Sequence, residues 1–461
     1  MVAREPGARV VYGVPFHDVT FDEAVAWCVD TMRAGVPRFI ATANVDFLMQ
    51  ARRDPELQRI LLEADLVIAD GQPVVQASRR QGTPLRERVT GSDLTPLLAA
   101  ACAREGLRVF LLGGAPGVAE RAAQVLVERH PSLQVAGCYS PPLAGLLEMD
   151  HEAILARLRE TRPHLLLVAF GAPKQEKFIQ LHVRHWSVPL AIGVGGTLDF
   201  LAGAQTRAPV WVQRLSLEWL WRMGTNPRRL FKRYASNIGF LAGAWWRWNR
   251  VRRSAPGAVE TGETAWSWEQ IEDAVASGEP LVLASLGDRS WLTSDELGRL
   301  VGAARRLRRR GGRLLLYGGT ERVRRLLGEF ALVEYLEHHV DRAAAERRRA
   351  SLVEAGRGGL IEVTDRVLHL TLPMEVTGDG LAAWSDRVAA AWTADLAAVH
   401  IEASAVEFID SAGIGWLVAV AMRCREAGMT YRAGGFRGAA LRSLQLARVA
   451  DRLTGTREPA S

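Results

Sequence analysis

Lysine is nearly missing from this chain. Of its 58 basic residues only Lys174, Lys177 and Lys232 are lysines, and the rest are arginine. That general excess reads as the coding bias of a GC-rich genome and by itself names no partner. Cysteine is also sparse. Cys28, Cys102, Cys138 and Cys424 share no paired pattern and no metal-type spacing, which excludes a disulfide scaffold and fits a reducing compartment. No run of ~18 uncharged apolar residues occurs, so no bilayer-spanning helix is expected. The first residues, MVAREPGARVVYG, hold no apolar core of signal-peptide length. Together these absences lead to the expectation of a cytoplasmic chain.

What is present is ordinary in bulk and unusual in one place. The 461 residues are 48% hydrophobic and 24% charged, enough for two or three domains with proper cores. The net charge of +7 is unevenly spread. From Gly203 to Arg253 the chain carries eleven basic residues, one acidic residue (Glu218) and six tryptophans. Tryptophan and arginine together suit a membrane interface with anionic head groups. No nucleic-acid fold motif accompanies the cluster, so nucleic acid is not an expected partner.

Apolar runs alternate with amphipathic helix patterns over residues 10–200. The strand candidates are 38–44, 64–70, 108–114, 133–139, 164–170 and 189–196. The pattern predicts an α/β fold, a Rossmann-like, mostly parallel sheet with helices on both faces. Ligands in such sheets bind where strands end. Three groups of polar and glycine residues fall there: Thr42, Asn44 and Asp70; Gly113, Gly114 and Gly117; and Gly171, Pro173, Lys174, Gln175 and Glu176, with Asp199 following the last strand. By spacing alone Asp70 reads as an N-cap of the next helix sooner than as a ligand group. The 113–117 turn lacks the spacing of a dinucleotide fingerprint.

After a linker at 254–264 the chain repeats itself. Residues 294–319 align without a gap on 411–436, at an offset of 117 residues. Duplicated small β-α domains are expected at 265–340 and 360–461, joined by a helical linker at 341–359.

The motifs TANVDFLMQARRDPELQ, ADLVIADGQPVV, RVTGSDL, RVFLLGGAPGVAE, AFGAPKQEKFI, GVGGTLDFLAG and RAPVWVQRLSLEWLWRMGTNPRRLFKRY resemble the WecG/TagA/CpsF glycosyltransferases over residues 10–240. The resemblance implies inverting transfer of N-acetylmannosamine or a related sugar from a UDP-sugar to an undecaprenyl-diphosphate-linked acceptor, with no cofactor and no metal. It implies Asp70 as general base, with Thr42 and Asn44 orienting sugar and acceptor. Gln175 and the 113–117 turn would hold UDP, with Asp199 near the nucleotide. The core would occupy 1–204 and a basic appendage 205–253. That appendage would touch the inner face of the membrane and offer Arg207, Arg214, Arg222, Arg228, Arg229 and Arg233 to the diphosphate.

The second half resembles a STAS domain, the fold of anti-sigma-factor antagonists, over 360–455. Asp410-Ser411-Ala412-Gly413 matches that family's phosphoacceptor turn, which makes Ser411 the candidate phosphoserine and implies a STAS-binding protein or kinase as partner. The first copy has Thr293-Ser294-Asp295-Glu296 there and reads as degenerate. The STAS half is expected to regulate or localise the enzyme. The rival reading is a signalling scaffold with an inactive transferase domain. The sequence is compatible with a homo-oligomer.

Overall fold

The six apolar runs form one sheet. In the computed structural model, which describes residues 6–205, 227–255, 264–355 and 359–457, the chain divides into two compact units. The first holds residues up to 345 except Arg53–Leu57, and the second holds Arg53–Leu57 and Glu346–Ser461.

The first unit opens with a hairpin, β1 (Ala8–Val11) and β2 (Val14–His17), which the sequence reading did not anticipate. Next come α1 (Phe21–Ala34), β3 (Arg38–Ala43), α2 (Val45–Ala51), α3 (Pro55–Glu63), β4 (Leu66–Ala69), α4 (Gln72–Arg80) and α5 (Gly91–Glu105). They are followed by β5 (Arg108–Gly113), α6 (Val118–Arg129), β6 (Gln134–Tyr139), α7 (His151–Thr161), β7 (Leu165–Ala169), α8 (Lys174–His182), β8 (Leu190–Gly193) and α9 (Thr197–Leu201). Strands β3 to β8 make a parallel sheet of order β4-β3-β8-β7-β5-β6. Its interior strands are apolar on both faces, as a sheet covered by helices requires. Ile40, Leu66, Ile68, Val109, Leu111, Leu165, Leu167 and Ile192 are fully buried. Each such side chain contributes about 1.5–3 kcal/mol by leaving water.

Local chemistry sets the helix ends. Thr20 and Glu23 form a capping box before α1, and Gly35 closes that helix at φ 70°. Thr90 caps α5 and Gly106 ends it at φ 64°.

The same unit continues into α10 (Pro227–Arg253), α11 (Trp268–Ser277), β9 (Leu281–Ser285), α12 (Ser294–Arg308), β10 (Arg313–Tyr317), α13 (Glu321–Glu329) and β11 (His338–His339). β9, β10 and β11 form a small parallel sheet of order β11-β10-β9. Helix α12 packs on β1, and α13 packs on α10.

The second unit has α14 (Arg342–Ala355) at its start, then β12 (Leu360–Thr364), β13 (Val367–Thr371), β14 (Glu375–Val376), α15 (Gly378–Ala391), β15 (Ala398–Glu402), β16 (Phe408–Ile409) and α16 (Ser411–Glu426). β17 (Thr430–Gly434), α17 (Gly438–Leu446), α18 (Ala450–Leu453) and β18 (Gly455–Arg457) complete it. Its main sheet is mixed, in the order β12-β13-β15-β17-β18. The repeat seen in the sequence is structural: α12 and α16 begin at Ser294 and Ser411, and β10 and β17 span 313–317 and 430–434, at the same offset.

Candidate active site

The three residue groups singled out in the sequence lie along one edge of the large sheet, where its strands end. Thr42 is the next-to-last residue of β3, and its side chain is buried. Its hydroxyl donates to the carbonyl of Gly193, at the end of β8, over 3.0 Å. Its methyl lies under the start of α5, where a Cβ on Gly91 would stand 3.1 Å away. Asn44 caps α2, its Oδ1 accepting from the N–H of Asp46 at 3.0 Å and of Phe47 at 3.4 Å. Asp70 follows β4, half-buried, with its N–H donating to the Ala43 carbonyl at 2.9 Å. It is not the N-cap of α4. Gly71 takes that position, at φ 148° and with no side-chain cap, and it stands beside Asn44. The structure therefore brings Thr42, Asn44 and Asp70 together on adjacent strands.

The loop before α5 reaches the same place. Its RVTG run carries Arg88.

The second group surrounds β5 and β7. Gly113, Gly114 and Gly117 all have positive φ, 101°, 80° and 84°. Gly113 also needs its bare Cα, because a Cβ would meet the Ala169 carbonyl at 2.7 Å. Gly171 turns at φ 77° and Pro173 caps α8. Lys174 donates to the Ala144 carbonyl at 2.5 Å and lies over the Phe170 ring. Burial lowers its pKa, with Glu148 opposing.

Gln175 is buried and spends its amide inside the protein. Its Oε1 accepts from the N–H groups of Gly171 and Gly195, both at 3.1 Å, and its Nε2 donates to Glu176 at 2.8 Å. It ties the turn after β7 to the turn after β8. Glu176 is fully buried, and burial pushes its carboxyl up to about 7. Its Oε2 has no hydrogen-bond partner among the described residues. Gly193 makes room for both side chains, since a Cβ there would lie 2.5 Å from Gln175 and 2.7 Å from Glu176. Asp199 sits in the first turn of α9, half-buried, its pKa raised by burial.

Helices α4, α6 and α8 start at this edge without a side-chain cap. Their first-turn N–H groups and positive dipole ends suit an anion. A surface hollow of about 680 Å³ lies at the other edge, lined by Arg33, Arg108, Arg162 and His164, and none of the candidate residues borders it.

Arg207, Arg214 and Arg222 lie outside the described residues. Arg228, Arg229 and Arg233 fall on the first turns of α10, where only the backbone is described. Ser411 is the first residue of α16, with Asp410 as N-cap. Within the second unit its hydroxyl donates to Glu56 at 2.9 Å and its N–H to the same carboxylate at 2.7 Å. Asp410 is pushed up to about 7, chiefly by burial.

A parallel sheet with uncapped helix starts, glycine turns and a carboxylate at its carboxyl edge is the arrangement at which open α/β sheets bind ligands. Comparison with known proteins makes this particular. Residues 9–254 match the glycosyl transferase WecG/TagA/CpsF family, and the chain belongs to it. Residues 361–455 match the family described as Mlab, STAS domain. Among curated relatives are N-acetylglucosaminyldiphosphoundecaprenol N-acetyl-beta-D-mannosaminyltransferases of Staphylococcus aureus strains COL and MRSA252. Each is 32% identical over 192 residues, which is 42% of this chain and 74% of the relative.

Proposed function

We propose that the chain transfers N-acetylmannosamine or a close relative from its UDP-sugar to a GlcNAc-type sugar on undecaprenyl diphosphate, with inversion. The observation that carries this reading is the convergence of Asp70, Asn44 and Thr42 at one sheet edge in a member of this family. Asp70 takes the proton of the acceptor hydroxyl as it attacks the anomeric carbon from the face opposite UDP. Thr42 and Asn44 orient the sugars. Negative charge then grows on the departing diphosphate. The N-termini of α6 and α8, Lys174 and the arginines of the 205–253 appendage are the groups to stabilise it.

Gln175 serves this site by fixing the 171 and 195 turns, so a nucleotide meets their backbone. The basic, tryptophan-rich appendage keeps the enzyme on the inner face of the membrane, where the acceptor's lipid resides. Among the described residues no helix is long and apolar enough to cross a membrane. The STAS domain regulates or targets the enzyme through a protein partner, with Ser411 as the residue a kinase would modify.

Donor screening tests this reading. The full chain with a lipid-linked GlcNAc acceptor is expected to release UDP from UDP-N-acetylmannosamine and to lengthen the acceptor by one sugar. Acceptor unchanged with every UDP-sugar offered would refute it.

A further inference from the structure

The first β-α copy, residues 264–345, has lost the feature that makes its sister a candidate signalling module. At the start of α12 the turn is closed on itself. Thr293 accepts from the N–H of Glu296 at 3.2 Å, and the Glu296 carboxylate accepts from the Thr293 N–H at 2.8 Å and from its hydroxyl at 3.0 Å. Arg289 holds the same carboxylate at 2.8 Å.

The copy's helices face inward instead. Helix α12 lies against β1 so closely that a Cβ on Gly298 would stand 1.9 Å from the Ala8 carbonyl. Farther along, fully buried Arg305 donates to the Ala64 carbonyl. Arg309 donates to the Glu63 carbonyl at 2.9 Å and pairs with Asp65 at 2.8 Å. Asp65 in turn holds Arg38 at 2.8 Å and the Phe39 N–H at 3.0 Å. These residues stand at the start of β3 and just before β4, the two strands whose far ends carry Thr42 and Asp70.

Helix α13 reaches the other way. Arg322 donates to the carbonyls of Val251 and Arg252, the open C-terminal end of α10. Glu329 pairs with Arg247 of α10 at 3.0 Å and stands 3.9 Å from Arg52, just after α2, and Arg52 also donates to the Glu329 carbonyl. The residues after α13 close on the hairpin, with Phe330 edge-on to Tyr12 and Gln58 donating to the Ala331 carbonyl at 3.1 Å.

Held this way, α10 shows two faces. Ala244, Trp248 and Val251 are buried at helical spacing, while Ile238, Trp245 and Trp246 are 61%, 44% and 59% exposed.

We propose that residues 264–345 are a brace, a copy that no longer signals and instead fixes the exposed tryptophan face of α10 against the catalytic sheet, setting how the active site meets a lipid surface. This rests on the transferase reading above. The brace gives Arg305 and Arg309 a role: they bind carbonyls just before β4 of the transferase sheet, where the sister copy has Met422 and Glu426 at the same offset.

The test uses the full chain and the double variant Arg322→Ala/Glu329→Ala, which trims two partly exposed side chains and touches no residue of the site. Transfer is measured to a short-chain, water-soluble acceptor and to a long-chain acceptor in phosphatidylglycerol–phosphatidylethanolamine vesicles. The variant is expected to keep soluble transfer within about twofold while vesicle transfer falls about tenfold or more, the scale on which small misplacements act. Equal loss in both assays, or loss in neither, overturns the brace. If the wild-type chain moves no sugar in either assay, the transferase reading fails. The brace is then judged by vesicle flotation, and a double variant that floats as well as wild type overturns it.

Discussion

Glu176 is a carboxylic acid sealed under the candidate site's edge, with one oxygen that has no hydrogen-bond partner among the described residues. Its folded pKa, about 7, lies above the unfolded value near 4.5, so the folded state holds a proton that the unfolded state releases between those values. The sign follows directly: this group destabilises the fold progressively as pH rises from about 4.5 to 7, and the penalty is constant above. Glu176→Gln keeps an oxygen for Gln175 and removes the ionisation. Its stability relative to wild type is expected to climb by up to about 3 kcal/mol across that window, read by urea unfolding at pH 4.5 and pH 8. A difference that does not change with pH would show that Glu176 is ionised in the fold. Residue types at this edge were legible in the sequence because polar residues at strand ends stand out, but partners were not. Gln175 looked like a ligand group and proves to be a clamp between two glycine turns. By spacing Asp70 read first as an N-cap, and only the backbone around Gly71 excludes that.

At the scale of elements, α10 is the part whose environment matters most. Arg250 lies over the exposed Trp246 ring, so cation and aromatic are presented together. Trp245→Ala/Trp246→Ala is expected to weaken binding to phosphatidylglycerol vesicles several-fold at low salt, and added salt should weaken wild-type binding as well. Co-sedimentation checks both, and a variant that binds like wild type would place the exposed face away from lipid. All six sheet strands were legible, five of them because buried parallel strands leave apolar runs, while β6 lies half-buried at the sheet's edge. The β1–β2 hairpin was not. Its four-residue strands owe much of their burial to α12 nearly three hundred residues later, and no local period reports that.

At the scale of the whole molecule, the sequence showed a duplication, and the structure gives the copies different surroundings. One belongs to the compact unit that carries the transferase sheet, and the other, with its Asp410-Ser411 turn, belongs to the second unit. Similar sequence could not disclose this, since the difference lies in what Gly298, Arg305 and Arg309 touch. Ending the chain after Arg253 would bare the hairpin and remove the groups that occupy the Ala64 and Glu63 carbonyls. Such a chain is expected to melt at least ~5 °C below the intact protein by calorimetry. An unchanged first transition would show that the copy adds nothing to the enzyme's stability.

The central claim is that Asp70 takes the acceptor's proton at this sheet edge. It is tested most directly by comparing sugar transfer, from saturating UDP-N-acetylmannosamine to a soluble GlcNAc-diphospholipid analogue, by wild type and Asp70→Asn at matched protein concentrations. The variant is expected to bind UDP as wild type does and to lose ~10²–10⁴ in turnover, the range for a missing general base. Turnover within a few-fold of wild type would contradict the account.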